Sequence, residues 1–127
     1  MLKLSDSFLS VFNKLYHDYR FSDIKIHWVT DDELLEMNKR FLSHDYFTDV
    51  ITFDYSRGRK ISGELFISKE RVAENASREN VSFELESDRV IAHGVLHFLG
   101  FKDQTEKEQQ EMRLKEDQFL NELYHGS

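Results

Sequence analysis

Two histidines and an aspartate near residue 100 are the side chains whose types and spacing could do chemistry. His93 and His97 are four residues apart in an apolar stretch, so on a helix both imidazoles leave the same face, one turn apart. Gly100 stands where a helix would need a left-handed residue to end, and a chain that turns there can bring Asp103 back as a third ligand. Three protein ligands leave a fourth position open, which is typical of a catalytic zinc site.

The spacing HxxxHxxGxxD is that of the metzincin signature, with aspartate in place of the third histidine. Aspartate oxygen binds zinc at nearly the same distance as imidazole nitrogen, so this exchange preserves the ligand set. Gly94 occupies the position of the glutamate that serves as general base in the HExxH motif, which argues against ordinary zincin proteolysis. We therefore predict one Zn²⁺ per chain, held by His93, His97 and Asp103. Nickel, cobalt or iron could bind the same ligands.

The composition favours a single globular domain without thiol chemistry. The chain has 127 residues, of which 39% are hydrophobic and 13% aromatic, so we expect one metallohydrolase-like domain over residues 1–127. Because there are 0 cysteines, any metal must be held by histidine and carboxylate. No apolar run approaches the roughly 20 residues of a membrane span, and the N-terminus lacks the apolar centre of a signal peptide. We expect a cytoplasmic protein that does not bind membranes.

The charge is unevenly distributed along the chain. A net charge of −7 argues against a general nucleic-acid-binding surface, since phosphate binding is driven largely by Lys and Arg. Residues 39–71, however, hold seven basic and five acidic side chains. Within this segment Arg57, Arg59 and Lys60 are candidate contacts for the phosphates of a polyanion, the alternative being ordinary solvated turn charges.

Hydrophobic spacing predicts the elements that position these residues. Helices are expected after five residues that can cap a helix N-terminus, namely Ser5, Thr30, Ser68, Ser82 and Thr105. Alternation predicts a strand over 24–28 and an antiparallel hairpin with strands over 47–55 and 61–67. The helix after Ser82 carries both histidines and is expected to be mostly buried.

Three positions in the predicted strands could matter for the site. Gly63 lies inside a strand, where a bulge is the expected reason and a close backbone approach the alternative. Glu64 could act as a catalytic base or as a partner of a metal-binding histidine, the alternative being an exposed strand carboxylate. His27 alternates with apolar residues and is expected to be exposed.

Residues 93–103 resemble the hallmark of the YbeY family of bacterial metallo-endoribonucleases, a histidine, glycine, leucine, histidine, leucine, glycine, tyrosine run that ends in a third ligand. The sequence TDVITF at 48–53 is similar to the family's strand motif TDVLSF, and GEL at 63–65 is similar to its GDI. Asn38 matches an asparagine upstream. The order and separation of these motifs agree from about residue 24 to 120.

This resemblance implies an α/β domain of the α+β type, with a small mixed four-stranded sheet packed against several helices and the metal-binding helix in the core. It implies a zinc held by His93, His97 and the residue at position 103. The implied activity is zinc-dependent cleavage of single-stranded RNA, in maturation of the 3′ end of small-subunit ribosomal RNA and in ribosome quality control, with ribosomal particles as partners. Attack on phosphorus by water and attack by the ribose 2′-hydroxyl both fit this activity.

Three residues depart from the family pattern. Asp103 replaces the usual histidine, Leu42 aligns with a basic residue that is normally arginine and thought to serve RNA cleavage, and Phe47 replaces a proline. The absence of the arginine and of the zincin glutamate motivates a second hypothesis, a ribosome-associated binding protein in which zinc chiefly braces the helix over 82–98 and the loop after Gly100. A third, a metallohydrolase acting on peptides or small molecules, rests on the metzincin-like spacing alone.

Overall fold

The fold is a four-stranded mixed sheet flanked by five helices in a computed structural model that describes residues 2–42 and 48–126. The elements in chain order are β1 (Leu2–Lys3), α1 (Asp6–Leu15), β2 (Arg20–Val29), α2 (Asp31–Leu42), β3 (Val50–Asp54), β4 (Lys60–Ser68), α3 (Lys69–Glu79), α4 (Phe83–Phe98) and α5 (Glu106–His125). The strand order is β1-β2-β4-β3. Strands β2 and β4 are parallel, whereas the other two pairs are antiparallel. The α+β fold class is confirmed.

The helices begin where the sequence predicts them to begin. The side chains of Ser5, Ser68 and Ser82 each accept a hydrogen bond from the backbone N–H three residues further on. The other two helices begin with capping boxes, in which a threonine and a glutamate three residues later bond to each other's backbone N–H; these pairs are Thr30 with Glu33 and Thr105 with Glu108. Side-chain caps therefore define the first residue of each of the five helices in the described part of the chain.

The predicted hairpin is formed by β3 and β4. Gly58 in its turn has φ +57°, a left-handed conformation that glycine adopts without steric cost. Strand β3 begins at Val50; Phe47, which was expected to start the strand, lies outside the described residues. Strand β2 extends over Arg20–Val29, beyond the predicted span of 24–28.

Gly63 is explained by close packing rather than by a bulge in its own strand. A Cβ atom at Gly63 would lie 2.5 Å from the Phe53 carbonyl oxygen and 2.5 Å from Cζ of Phe98. The pairing of β4 with β3 is regular through Gly63. The irregularity lies in the facing strand β2, between Phe21 and Ile24. The bulge expected at Gly63 is therefore displaced to the neighbouring strand.

Helix α4 lies in the core, as predicted, and packs on one face of the sheet. Gly94 brings its backbone against Leu65 of β4, since a Cβ atom at Gly94 would lie 2.4 Å from Cδ2 of that side chain. Helices α3 and α5 both pack against α4. His93 and His97 lie on the part of α4 that remains half-buried.

Helix α5 is the longest helix, with 20 residues. Its buried face packs against α1 and α4 and consists of Met112, Glu116, Phe119 and Leu120. In residues 2–42 and 48–126, no helix combines the length and apolar character that crossing a bilayer requires.

Candidate metal centre

Three side chains converge at the C-terminal end of α4. The Nε2 atoms of His93 and His97 are 3.0 Å apart, and Oδ2 of Asp103 lies 3.2 Å and 3.3 Å from these two nitrogens. Four ligands in tetrahedral coordination at the usual zinc distances are separated by about 3.3 Å. The three donor atoms thus have the spacing that a small divalent ion requires, and the group could hold such an ion. The structure brings together the three residues singled out by their spacing in the sequence.

The turn after α4 carries Asp103 back towards the histidines. Gly100 has φ +101°, and its N–H donates to the His97 carbonyl at 3.0 Å. The N–H of Phe101 donates to the carbonyl of Leu96 at 3.1 Å. These two bonds form a Schellman motif, which ends the helix and reverses the chain. Gly100 therefore has the role that its position in the sequence predicts.

Both imidazoles are oriented by their second ring nitrogen. Nδ1 of His97 lies 3.0 Å from the carbonyl oxygen of Phe101, and Nδ1 of His93 lies 2.7 Å from Oε2 of Glu116. A carbonyl oxygen and a carboxylate only accept, so each Nδ1 carries the proton and donates. Each Nε2 then presents its lone pair to the centre of the group, as a metal ligand must.

The pKa of His93 is raised above its ordinary value. Burial lowers this pKa, but the hydrogen bond to Glu116 and the negative charges of Glu116, Asp49 and Asp103 raise it by more. A metal ion must displace the proton from Nε2 before it can bind. As the pH falls, protons therefore compete more strongly with a metal ion for Nε2 of His93.

Glu116 is a residue of the candidate metal centre that sequence reasoning missed. It is 5% exposed and its Oε1 accepts from Nη1 of Arg89 at 3.2 Å, so its charge is balanced inside the protein. The available signal was its place on the apolar face of α5, four residues after Met112 and three before Phe119. An acid at such a position must have partners, because burying an unpaired charge is costly.

His93, His97 and Asp103, called the metal group below, border a cleft of about 350 Å³ between α3 and α5. His93 and Asp103 form part of its lining. The cleft is also lined by three arginines, one each from α3, α4 and α5, which are Arg78, Arg89 and Arg113. A ligand bound at the three donors would be reachable from solvent through this cleft.

Glu64 lies away from the cleft. It is next to Leu65, which packs against α4, so its own side chain points to the opposite face of the sheet. There its carboxylate accepts from the Tyr55 hydroxyl at 2.8 Å and lies 2.9 Å from Nε2 of His27. These two hydrogen bonds lower the pKa of Glu64. The expectation that His27 is exposed is wrong, because its side chain is 22% exposed and stacks on Phe66.

Arg57, Arg59 and Lys60 lie exposed at the turn between β3 and β4. The guanidinium group of Arg59 lies over the ring of Tyr19, 5.8 Å from its centroid, and 3.9 Å from the carboxylate of Asp18. The structure does not place these three bases in the lining of the metal cleft. The contact of these three residues with RNA phosphates remains a prediction from the sequence.

Leu42 and Asn38 both belong to α2. Leu42 is the last residue of the helix and is 41% exposed. Asn38 is fully buried, and its side-chain Nδ2 donates to Oγ1 of Thr48 at 3.0 Å. Asn38 thus ties α2 to the segment that leads into β3.

A family model described as Endoribonuclease YbeY matches residues 2–124 of the chain. The Endoribonuclease YbeY of Christiangramia forsetii is 46% identical over 103 residues, which cover 81% of this chain and 71% of that protein. That of Flavobacterium johnsoniae is 52% identical over 69% of this chain and 64% of its own length, which is less than two thirds. The resemblance stated from the motifs is confirmed, as is the expectation of an endoribonuclease family.

A solved structure shares the fold. The solution structure of TM1509 from Thermotoga maritima is 29% identical in sequence and superposes with a TM-score of 0.65, over 94% of this chain and 77% of that one. The arrangement of the sheet and helices is therefore found in an experimentally determined relative.

Proposed function

The chain belongs to the Endoribonuclease YbeY family, and from this premise we propose that it is a zinc-dependent endoribonuclease that cuts single-stranded RNA. We further propose that its substrate is ribosomal RNA, at the 3′ end of the small-subunit RNA, and that it serves ribosome quality control. Such a substrate implies a cytoplasmic location and ribosomal particles as partners. The observation that carries the proposal is the convergence of three donor atoms beside an open cleft.

The donor set supports zinc as the metal. Two imidazole nitrogens and one carboxylate oxygen are ligands that zinc binds in tetrahedral sites, and three protein ligands are the usual number where zinc is catalytic. Nickel, cobalt and iron accept the same donors, so metal content must be measured on the purified protein.

The protein's own residues would hold the ion and orient its ligands. His93, His97 and Asp103 supply the ligands, while Glu116 and the carbonyl of Phe101 keep both imidazoles in the required tautomer. When bound, a divalent ion supplies Lewis acidity for a phosphoryl oxygen and acidifies water. The cleft that His93 and Asp103 line leaves one side of the group open to substrate.

Peptide hydrolysis of the zincin type is not supported. Gly94 stands in the position of the zincin glutamate, and its Cα faces the fully buried Leu65. A glutamate there would point into the core instead of towards the metal group. This leaves the chain without the general base on which zincin proteolysis depends.

A ribosome-associated binding protein with a mainly structural zinc is the second candidate. The observation that favours it is the apolar Leu42, at the position where the resemblance to the family implies an arginine. Zinc-loaded protein that binds ribosomal particles and never cuts RNA would support this candidate.

The proposal is tested by measuring zinc content and RNA cleavage on the same samples. We expect one zinc per chain in the unsubstituted protein and cleavage of labelled single-stranded RNA that stops on addition of a chelator. Asp103→Ala should lose both zinc and cleavage, whereas Asp103→His should keep both, because imidazole nitrogen binds zinc at a similar distance. Cleavage that survives chelation would contradict the proposal.

A further inference from the structure

Two exposed arginines lie on different walls of the metal cleft. Arg78 is in the last turn of α3 and Arg113 is in the first half of α5. Helix α4 contacts both of these helices and contributes His93 to the lining between them. The side chain of Arg113 is 54% exposed, and Arg78 is exposed as well. Both guanidinium groups can therefore be reached by a ligand that enters the cleft.

The third arginine of the cleft is engaged inside the protein. The side chain of Arg89 is 15% exposed and its Nη1 lies 3.2 Å from Glu116 and 2.9 Å from Asp117. Arg113 approaches Glu116 only to 4.0 Å, and that carboxylate already binds Arg89. Arg78 donates to the side-chain oxygen of Asn75 at 2.5 Å, which is an uncharged partner. Arg78 and Arg113 thus carry charge that a bound anion can use.

The net charge of the cleft opposes anions unless a cation is bound as well. Its lining holds the three arginines and five acids, which are Asp49, Glu79, Glu86, Asp103 and Glu116, a formal charge of −2. A divalent ion at the three donors cancels this charge. Burial also raises the pKa of Glu86, which favours its neutral form. With an ion bound, the lining has a formal charge of zero, the two arginines included, and its net charge no longer repels an anion.

Resting on the proposed function, we propose that Arg78 and Arg113 bind backbone phosphates of single-stranded RNA on the two walls of the cleft, so that the strand crosses the metal group from α3 to α5. Arginine suits this task because its planar guanidinium group can donate two parallel hydrogen bonds to one phosphate. Phosphate contacts position a strand without selecting its sequence. The site therefore takes RNA of any sequence and sets where along the strand the metal group lies.

The test is a binding measurement that does not depend on cleavage. Zinc-loaded protein is titrated into a fluorescent 2′-O-methyl oligoribonucleotide, and anisotropy is recorded over a series of salt concentrations. Arg78→Ala with Arg113→Ala should weaken binding by roughly tenfold for each arginine. The slope of log K against log salt should become shallower by about 1.4, since each contact to a single-strand phosphate contributes about 0.7.

Lys3→Ala with Arg20→Ala is the matched variant, because it removes the same charge from exposed positions of β1 and β2 that do not line the cleft. Arg78→Lys with Arg113→Lys should keep the slope while retaining only part of the affinity, since lysine lacks the planar fork. Zinc content and far-UV circular dichroism are measured for each variant, and Arg78→Gln with Arg113→Gln replaces the alanine variant if that variant does not fold.

An unchanged slope and affinity in the folded, zinc-loaded cleft variant would overturn the inference. If the unsubstituted protein still cuts RNA in zinc, the proposed function stands and only the two arginines are excluded. If the unsubstituted, zinc-loaded protein neither binds nor cuts RNA, the proposed function fails and the inference fails with it.

Discussion

The carboxylate of Glu116 lies 2.7 Å from Nδ1 of His93, which links the metal group to a helix that supplies none of its three ligands. Glu116 also accepts from Arg89, so the negative charge that orients the imidazole is itself balanced by a half-buried cation. The orientation of His93 thus depends on the packing of α5 against α4. A change in α5 should therefore reach the metal group without touching a ligand.

Glu116→Gln should lower zinc affinity by about tenfold or more, because partners of a ligating histidine typically contribute 10–100-fold to metal affinity. Glutamine keeps the volume but removes the charge that holds the Nδ1 proton. Zinc affinity is measured by competition with a chromophoric chelator. Asp117→Asn is the control, since Asp117 contacts Arg89 and is exposed. Equal zinc affinity in the two variants would contradict the orienting role of Glu116.

Gly94→Ala should destabilise the protein, although alanine favours a helix by about 1 kcal/mol over glycine. The added methyl group would lie 2.4 Å from Cδ2 of the fully buried Leu65, and overpacking of this kind costs about 1–3 kcal/mol. The free energy of unfolding is measured in urea. In a Leu65→Ala background the same substitution should cost less, because the clash is gone. A free energy of unfolding that rises in Gly94→Ala would show that the sheet can move away.

Glu64→Gln should reduce stability at neutral pH by about 0.5–1.5 kcal/mol, the net contribution of a typical hydrogen bond. The hydrogen bonds from Tyr55 and His27 lower the pKa of Glu64 in the folded protein. Their stabilisation is thus fully present above the ordinary carboxyl pKa and is lost as the pH falls through the lowered value. The difference in stability between Glu64→Gln and the unsubstituted protein should therefore shrink in acid.

RNA cleavage should be unaffected by Glu64→Gln, because Glu64 lies on the face of the sheet opposite α4. Glu111→Gln, an exposed substitution on α5, is the control for stability and for cleavage. Loss of cleavage in a stable Glu64→Gln protein would instead place this carboxylate in the reaction.

Signals that lie close together in the chain predicted most of the metal group. His93, His97 and Asp103 fall within one helical turn and the reversal that follows it, and Gly100 marks that reversal. Helix starts were predictable for the same reason, since a cap and its partner N–H are three residues apart. The fold class was predicted from the resemblance to the YbeY family, which rests on the order and separation of the shared motifs.

Contacts between distant elements could not be obtained in this way. Glu116 is 23 residues from His93, and the sequence alone does not distinguish it from the other acids of a charged helix. Its contact with His93 arises only from the packing of α5 on α4. Arg78 and Arg113 line the same cleft as the metal group only because α3 and α5 both pack against α4. The two-residue strand β1 (Leu2–Lys3) is too short to show alternation. Each of these features depends on tertiary packing, which local pattern does not specify.

Zinc-dependent RNA cleavage in His97→Ala is the measurement that tests the proposed function most directly. Unsubstituted protein, His97→Ala and His17→Ala are compared on a labelled single-stranded RNA with zinc and with chelator. His17 is an exposed histidine outside the metal group, so its exchange controls for the loss of an imidazole. Folding and zinc content are checked for all three proteins.

We expect cleavage by the unsubstituted protein and by His17→Ala in zinc, none in chelator, and none by folded His97→Ala. Equal cleavage by His97→Ala would mean that the activity does not come from this metal group. No cleavage by any sample, with one zinc bound per unsubstituted chain, would contradict the endoribonuclease proposal and favour the ribosome-associated binding protein.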